Sequence, residues 1–337
     1  MHFAAIDASA ADDSVLAQIH ALNTVVQREL YPDDEPTAFE EFRASVRHQP
    51  AHCVTRWWVA FDDDRAVGRA SLDFTTAPEN RHLADASVHV RPDHRRQGVA
   101  SRLLAALAGA AQEQGRRLLQ MGAMEGRAGE AFLTAIGAEK RFVEHENRLL
   151  TEAIDMEMLE RWVADAATQA ADYSLLVWDG RTPPEHIDAF ARLLDVMNDA
   201  PRGDLDMEDE RNEPDQVEAW ETAIEARGQT LWTLVARHDP TGALAGWSTF
   251  LFPAVRKEVA YQLGTGVAPG HRGHGLGRWM KATNALRLLA EKPAVRRIET
   301  ENATTNGPML AINHEMGFRS HETIGWWEIP AADLARR

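Results

Sequence analysis

The chain has 337 residues, roughly twice the usual domain length of about 100–200 residues, so two domains are expected. Its 44% hydrophobic and 26% charged residues exclude a fibrous or wholly disordered chain. Thirty-six basic residues against 52 acidic ones leave a net charge of −16, which argues against nucleic acid or an anionic membrane as partner and suits a cationic small molecule.

In chain order, residues 2–6 are predicted to form an opening strand. Val15, Ile19, Leu22, Val26 and Leu30 then recur at helical steps of three and four. An acidic loop at 33–35 and a second helix precede strand-like runs at 57–61, 67–74 and 85–90. A glycine-containing turn follows, then a helix striped by Leu103, Leu104, Leu107 and Ala111. Another strand, a helix and a closing strand pair complete the first half. Between the halves, Leu159, Trp162, Val163 and Ala166 mark one face of a linker helix. The second half repeats the plan: a strand at 173–178, a helix on Ile187, Phe190, Leu194 and Met197, and an acidic loop at 199–210. A further helix, strands at 231–236, 244–251 and 259–267, and a helix striped by Trp279, Thr283, Leu286 and Leu289 follow.

The repeat is explicit in the residues. Val90 and Val267, Arg95 and Arg272, and Gly98 and Gly275 are each separated by 177 positions (267−90, 272−95, 275−98). Gly68 and Gly246 are 178 apart, and Gly137 and Gly317 are 180 apart, small drifts of the kind that short loop insertions produce. The expected organisation is an N-terminal domain at 1–152, a linker helix at 153–171 and a C-terminal domain at 172–337, each an α/β sheet layered with helices. One cysteine, Cys53, allows neither an internal disulfide nor a cysteine zinc site, and with no signal-like start or membrane-length apolar run a cytoplasmic location is expected.

A strand ending in a turn that opens a helix can bind an anion, because the first-turn amides are unpaired and the helix dipole is positive there. Arg272-Gly273-His274-Gly275-Leu276-Gly277 suits a pyrophosphate, and Arg95-Arg96-Gln97-Gly98-Val99-Ala100 keeps the arginine, one glycine and a small last residue. No G-x-x-x-x-G-K-[ST] run is present, and Met280 stands where a dinucleotide fingerprint needs its last glycine. His271 and His274 have a metal-like spacing but no evident further ligands, so no metal is expected.

The pattern Val-x-Pro-x-x-Arg-x-x-Gly-x-Gly/Ala, carried at 90–100 and at 267–277, resembles motif A of the GNAT superfamily of N-acetyltransferases. Residues 302–318, with Asn302, Asn306, Asn313 and a terminal Gly317-Phe318, look like its motif B. The likeness spans nearly the whole chain as two tandem GNAT domains, each a mixed, mostly antiparallel sheet flanked by helices, a type similar to mycothiol synthase. The resemblance implies acetyl-CoA as donor and direct attack of an amine on its thioester. Amides of Arg272–Gly277 (and, if the first half still binds CoA, of Arg95–Ala100) would hold the pyrophosphate. The backbone N–H near Val267 would meet the thioester oxygen, and Asn302, Asn306 and Asn313 would line the pantetheine and thiol end.

At motif B the halves differ, because Gly122, Gly126 and Leu133 stand where the second half has Asn302, Asn306 and Asn313. The C-terminal half is therefore expected to be catalytic and the N-terminal half structural or merely CoA-binding. The asparagines could also serve only as turn and helix caps. The glutamate that many family members place six residues before the motif valine is replaced by Tyr261 (Ala84 in the first half), and their proton-donating tyrosine by Asn313. Tyr261 and Asn313 are the expected catalytic residues, with Tyr261, Glu258 or Glu301 available as base through water. The seven acids of residues 198–213 either recognise a cationic acceptor or form a solvated loop. An acetyltransferase acting on a small amine as monomer or homodimer is the leading reading; a non-catalytic acyl-CoA-binding module and a protein acetyltransferase are the alternatives.

Overall fold

The computed structural model describes residues 1–335. The elements are β1 (His2–Asp7), α1 (Asp13–Leu30), α2 (Phe39–Arg47), β2 (Cys53–Asp62), β3 (Arg65–Thr75), β4 (Leu83–Val90), α3 (Val99–Glu113), β5 (Leu118–Met124), α4 (Ala128–Ala135) and β6 (Glu139–Leu150). They continue with α5 (Met156–Gln169), β7 (Tyr173–Asp179), α6 (Ile187–Leu194), α7 (Pro214–Ala226), β8 (Thr230–His238), β9 (Ala243–Phe252) and β10 (Val259–Val267). The chain ends with α8 (Leu276–Glu291), β11 (Arg297–Ala303), α9 (Gly307–Met316), β12 (Arg319–Pro330) and α10 (Ala331–Leu334). The predicted strands and helices all appear, with one closing strand per half instead of a pair. No helix among the described residues is long and apolar enough to cross a membrane.

The chain forms two compact units. Unit 1 comprises Met1–Phe142, Asp204–Glu208 and Gly325–Arg337; unit 2 comprises Val143–Gly203 and Asp209–Ile324. Contiguous sequence halves and compact units thus differ at both closing strands: residues 143–150 of β6 lie in unit 2, and residues 325–330 of β12 lie in unit 1. Periodicity describes a strand's faces but not its neighbour, which is why the sequence carries no sign of this. The helix expected as a linker, α5, is part of unit 2, opens on an Asp155 cap (Oδ1 accepts from Met158 N at 3.0 Å) and buries Leu159 and Trp162.

In unit 1, strands β1 to β4 pair antiparallel in sequence order, β4 and β5 run parallel, and β12 borders β5. Leu103, Leu104, Leu107 and Ala111 of α3 pack on one sheet face with Leu72, Leu119 and Trp327. Leu16, Ile19, Leu22 and Val26 of α1 cover the other face with Trp57 and Val59. Unit 2 repeats this layout with the order β6-β11-β10-β9-β8-β7, with β10 and β11 as the parallel pair.

Two helical stripes read from the sequence need correction. On α6 the buried residues are Phe190, Ala191 and Leu193; the helix ends at Leu194, and Met197 lies beyond it, 45% exposed. On α8 the buried face is Leu276, Met280, Lys281, Ala282, Asn284, Ala285 and Leu288, whereas Trp279, Thr283, Leu286 and Leu289 are only half-buried. Lys281 and Asn284 hid that face, because a hydrophobic pattern counts them as solvent-facing. Asn284 Nδ2 donates to Ser248 O at 3.1 Å, and Lys281 lies with Nζ 5.4 Å from the Phe318 ring centroid. Burial brings Lys281 down to about 7.

Candidate active site

Each unit carries the glycine loop in the same local form. Strands β4 and β10 lead through a single helical turn (Pro92–His94; Pro269–His271) into the N-termini of α3 and α8. Gly98 and Gly275 are the N-cap residues, with φ of 78° and 71°. A left-handed backbone costs a residue with a side chain roughly 1–2 kcal/mol, so glycine relieves the turn. The position two residues earlier is also left-handed, filled by Gly273 (φ 85°) in unit 2 and by Arg96 (φ 62°) in unit 1. No side chain caps either helix, which leaves first-turn amides available to an anion.

The motif arginines brace these loops. Arg95 Nε donates to Val90 O at 3.1 Å and Arg272 Nε to Val267 O at 3.0 Å. Their guanidinium ends are taken by Glu29 (2.7 Å) and Asp199 (2.6 Å). Gln97, Gly98 and His274 are exposed, while Val99 and Leu276 anchor their helices in the core. Beside the second loop, the Tyr173 hydroxyl hydrogen-bonds His271 Nδ1 at 3.0 Å, and His274 lies 5.4 Å from the Tyr173 ring. Burial, with the neighbouring His238 and His274 charges, holds His271 below its usual value. The loops also differ: a Cβ on Gly275 would stand 2.7 Å from Gln169 Oε1 at the end of α5, whereas nothing lies within 4 Å of the same point on Gly98.

Strands β10 and β11 pair only from Val259–Arg297 to Tyr261–Glu299 and then part, while β11 keeps its pairing with β6 as far as Ala303–Glu144. A bulge between Gln262 and Thr265 bends β10 at that point. Buried Gln262 secures it, donating from Nε2 to Thr249 O (3.0 Å) and Gly264 O (3.3 Å). Beyond the bulge, Gly264 admits the Trp247 ring, since a Cβ there would lie 2.0 Å from its Cη2. Val267 follows, its β9 side paired with Gly246.

On the α8 and α9 side of this opening, three amides meet. Asn302 Oδ1 accepts from Asn313 Nδ2 (2.7 Å) and from Asn147 Nδ2 (3.2 Å). Asn147 and Asn313 are each 1% exposed, and the Oδ1 atom of each is buried without a partner among the described residues. Unpaired buried acceptors cost about 1–3 kcal/mol each, so the pair suits a ligand bearing N–H groups. Asn147 comes from β6, outside motif B in either half, and is brought to Asn302 only by the pairing of β6 with β11. Asn306 instead caps α9, its Oδ1 accepting from Met309 N at 3.4 Å. Leu133, the first-half counterpart of Asn313, is an apolar core residue.

Strand alternation puts Glu299 and Glu301 on the opposite face from Ile298, which packs with α8. Glu301 pairs directly across the ladder with Glu146, and Glu144 lies two residues along. Arg148 and Arg297 engage Glu146 and Glu299 at 2.6–3.2 Å. Glu301 alone of the four makes no hydrogen bond or ion pair among the described residues, and it remains open to solvent. The surrounding protein, then the charges of Glu144, Glu146 and Glu299, push it up to about 7. Tyr261 lies close by in the ladder, opposite Glu299, but its ring packs with Ile224, Leu231 and Leu251. Burial raises its hydroxyl further, which keeps it protonated near neutral pH. Glu258 sits before β10, its backbone carbonyl accepting from Arg296 and Arg297 at 2.7 and 3.1 Å.

Much of the acidic segment is engaged elsewhere. Within unit 1, Asp206 N donates to Glu328 Oε1 (2.8 Å), and Asn80 and Glu208 exchange two hydrogen bonds of 2.8 Å. Within unit 2, Asp199 holds Arg272, and Asp209 pairs with Arg202.

The acetyltransferase (GNAT) family model matches residues 16–129 and 190–318, more than half of the chain and once in each half. The chain belongs to that family, whose chemistry is acyl transfer. A tandem GNAT protein from the clavulanic acid biosynthesis pathway is similar over 98% of both chains, at 26% identity and a TM-score of 0.80. A GNAT from Sphaerobacter thermophilus shares the fold at 13% identity and a TM-score of 0.63 over 98% of this chain and 96% of that one. The glucosamine N-acetyltransferase region of a fungal multi-domain β-N-acetylglucosaminidase aligns with 97% of this chain and 38% of that one, at 15% identity and a TM-score of 0.66. No curated protein sequence matches.

Proposed function

We propose that unit 2 is an N-acetyltransferase that passes an acetyl group from acetyl-CoA to a primary amine of a small, cationic molecule. The observation that carries this reading is Glu301, an unpaired carboxyl raised to about 7 at the edge of the β10–β11 opening. Acetyl-CoA would supply the acyl group as an activated thioester. The amides of Gly273–Gly277 would take the pyrophosphate, and Asn147 and Asn313 the N–H groups of the pantetheine arm. The backbone N–H near Val267 would donate to the thioester oxygen. A primary amine, with a pKa near 10 as for lysine, arrives mostly protonated. Glu301 would accept that proton, directly or through one water, so that the free amine can attack. Asn302 and Asn313 cannot act as acids, so the thiolate would leave hydrogen-bonded or take its proton from solvent. Val267, Arg272–Gly277, Asn302 and Asn313 thus keep the roles the family likeness suggests, while the proton acceptor becomes Glu301 in place of Tyr261.

A second reading, acyl-CoA binding without turnover, is favoured by Gln169, which stands against Gly275 and leaves the unit 1 loop the more open of the two. Calorimetry with acetyl-CoA tests both, using wild type, Gly275→Glu and Gly98→Glu, each checked for folding, followed by a thiol-release screen of small amines. Loss of binding in Gly275→Glu together with amine-dependent thiol release supports the proposal. Loss in Gly98→Glu alone would move the working site to unit 1. Binding without release by any amine supports the second reading.

A further inference from the structure

The two units share a register that makes their β3–β4 and β9–β10 ladders comparable position by position. In unit 1, Gly68 lies opposite Val90; in unit 2, Gly246 lies opposite Val267. One step further, unit 2 has Trp247 opposite Gly266, whereas unit 1 has Arg69 opposite His89. The ladder continues in unit 1 with Ser71 opposite Ser87 and Asp73 opposite Asp85. Alternation places all six residues on one face, the face where Trp57 packs with α1 and α2. The order along it is a basic pair, a hydroxyl pair and an acidic pair.

Arg69 is the unusual member. It is half-buried, its Nε is buried without a partner, and it makes no ion pair among the described residues. Its guanidinium carbon lies 5.3 Å from the centroid of Trp57, which in turn stacks on Phe42 of α2 at 6.1 Å. The one carboxylate acting on it, Asp73, accepts hydrogen bonds from Thr55 (2.5 Å) and Ser71 (2.6 Å). His89 adds no second positive charge, since burial and the Arg69 and Arg95 charges hold it near 4, neutral at pH 7. A second orphan atom, the buried Oδ1 of Asn23, belongs to α1, the helix that packs across β3 and β4. A half-buried guanidinium whose Nε has no partner among the described residues is under-satisfied, and a bound carboxylate would relieve it through a bidentate, charge-assisted pair.

We propose that this face of unit 1 binds a small zwitterion, its carboxylate on Arg69, which lies over the buried Trp57 ring, and its amine toward Asp73 and Asp85. The site is independent of acyl transfer in unit 2 and gives unit 1 a ligand of its own.

The test uses the full chain labelled with ¹⁵N at tryptophan, with the Trp57 indole resonance assigned through Trp57→Phe. Caproate, hexylamine and ε-aminocaproate serve as probes. Caproate and ε-aminocaproate should shift the Trp57 resonance saturably, the latter binding about tenfold more tightly, the effect of one charge-assisted hydrogen bond. Hexylamine should leave it unmoved. Arg69→Met, and Arg69→Gln as a more conservative change should the first not fold, should abolish both responses. Asp73→Asn should bring ε-aminocaproate down to the affinity of caproate. The proposal is overturned if no probe moves the Trp57 resonance, if the Arg69 variants respond as wild type does, or if caproate and ε-aminocaproate bind equally.

Discussion

Glu301→Gln is the change that bears most directly on the proposed chemistry. The substitution keeps the shape of the side chain and removes the one carboxyl of the Glu144, Glu146, Glu299 and Glu301 group that is unpaired among the described residues. A carboxyl at about 7 is half ionised at pH 7, so activity that needs the carboxylate should fall about tenfold for each unit of pH below that point. Wild-type kcat/KM, measured by thiol release with an amine found active in the screen, should rise with pH and level off above about 7. In Glu301→Gln the rate should drop by about 10²–10⁴-fold, the usual contribution of a general base, and the low-pH limb should vanish. Stability has a definite sign as well. The folded-state value is raised, so the wild-type contribution is fully present at low pH and is lost as pH climbs from the ordinary glutamate range through about 7. Glu301→Gln should therefore be at least as stable as wild type at pH 8, which separates lost chemistry from lost fold. A variant that keeps the wild-type rate within about twofold, with the same pH limb, would refute the assignment.

Other residues give independent checks. Asn313→Leu puts into unit 2 the residue type that unit 1 uses at Leu133; it should leave the melting temperature unchanged or raise it, and weaken acetyl-CoA about five- to tenfold by calorimetry, the loss of one hydrogen bond. Lys281→Met should be more stable than wild type at pH 7. The buried lysine is lowered to about 7, so wild-type stability should rise from pH 7 toward pH 10, a dependence that urea titrations at several pH values should find missing in the variant. Arg96→Gly relieves a left-handed arginine and should stabilise unit 1 by about 1 kcal/mol, read as a shift of a few degrees in calorimetric melting. Gly264→Ala drives a Cβ into the Trp247 ring and should destabilise by about 1–3 kcal/mol in urea unfolding.

Much of this molecule is written in its local pattern. The strands announce themselves by alternation, α1 and α3 by stripes of leucine and valine, and the two anion loops by the glycines their left-handed turns require. Because the loop is a backbone device set by a few successive torsions, Gly98 and Gly275 could be found without knowing anything distant in the chain. The family likeness at 90–100 and 267–277 rests on that same local geometry. Where the pattern misled, polar side chains were buried for a reason that periodicity does not register: Lys281 and Asn284 disguised the inner face of α8, and helix α6 ended before its apolar stripe did.

Tertiary structure alone decided the rest. Strand order depends on which backbone edges are free to pair, and nothing in the residues of β6 says that its second half will lie against β11. That pairing brings Asn147 to Asn302 and sets Glu144 and Glu146 beside Glu301. The sequence offered Glu301 only as one of three candidate bases. Its elevated proton affinity arises first from partial desolvation by the surrounding protein, then from the charges of Glu144 and Glu146, 157 and 155 positions away (301−144, 301−146), and of Glu299, a sum that exists only once the sheet is assembled. In the same way, the ladder that sets Arg69 against His89, with no ion pair among the described residues, is a property of register. Composition and spacing identify the groups, but only the folded sheet fixes which charges face one another and which are left without a partner.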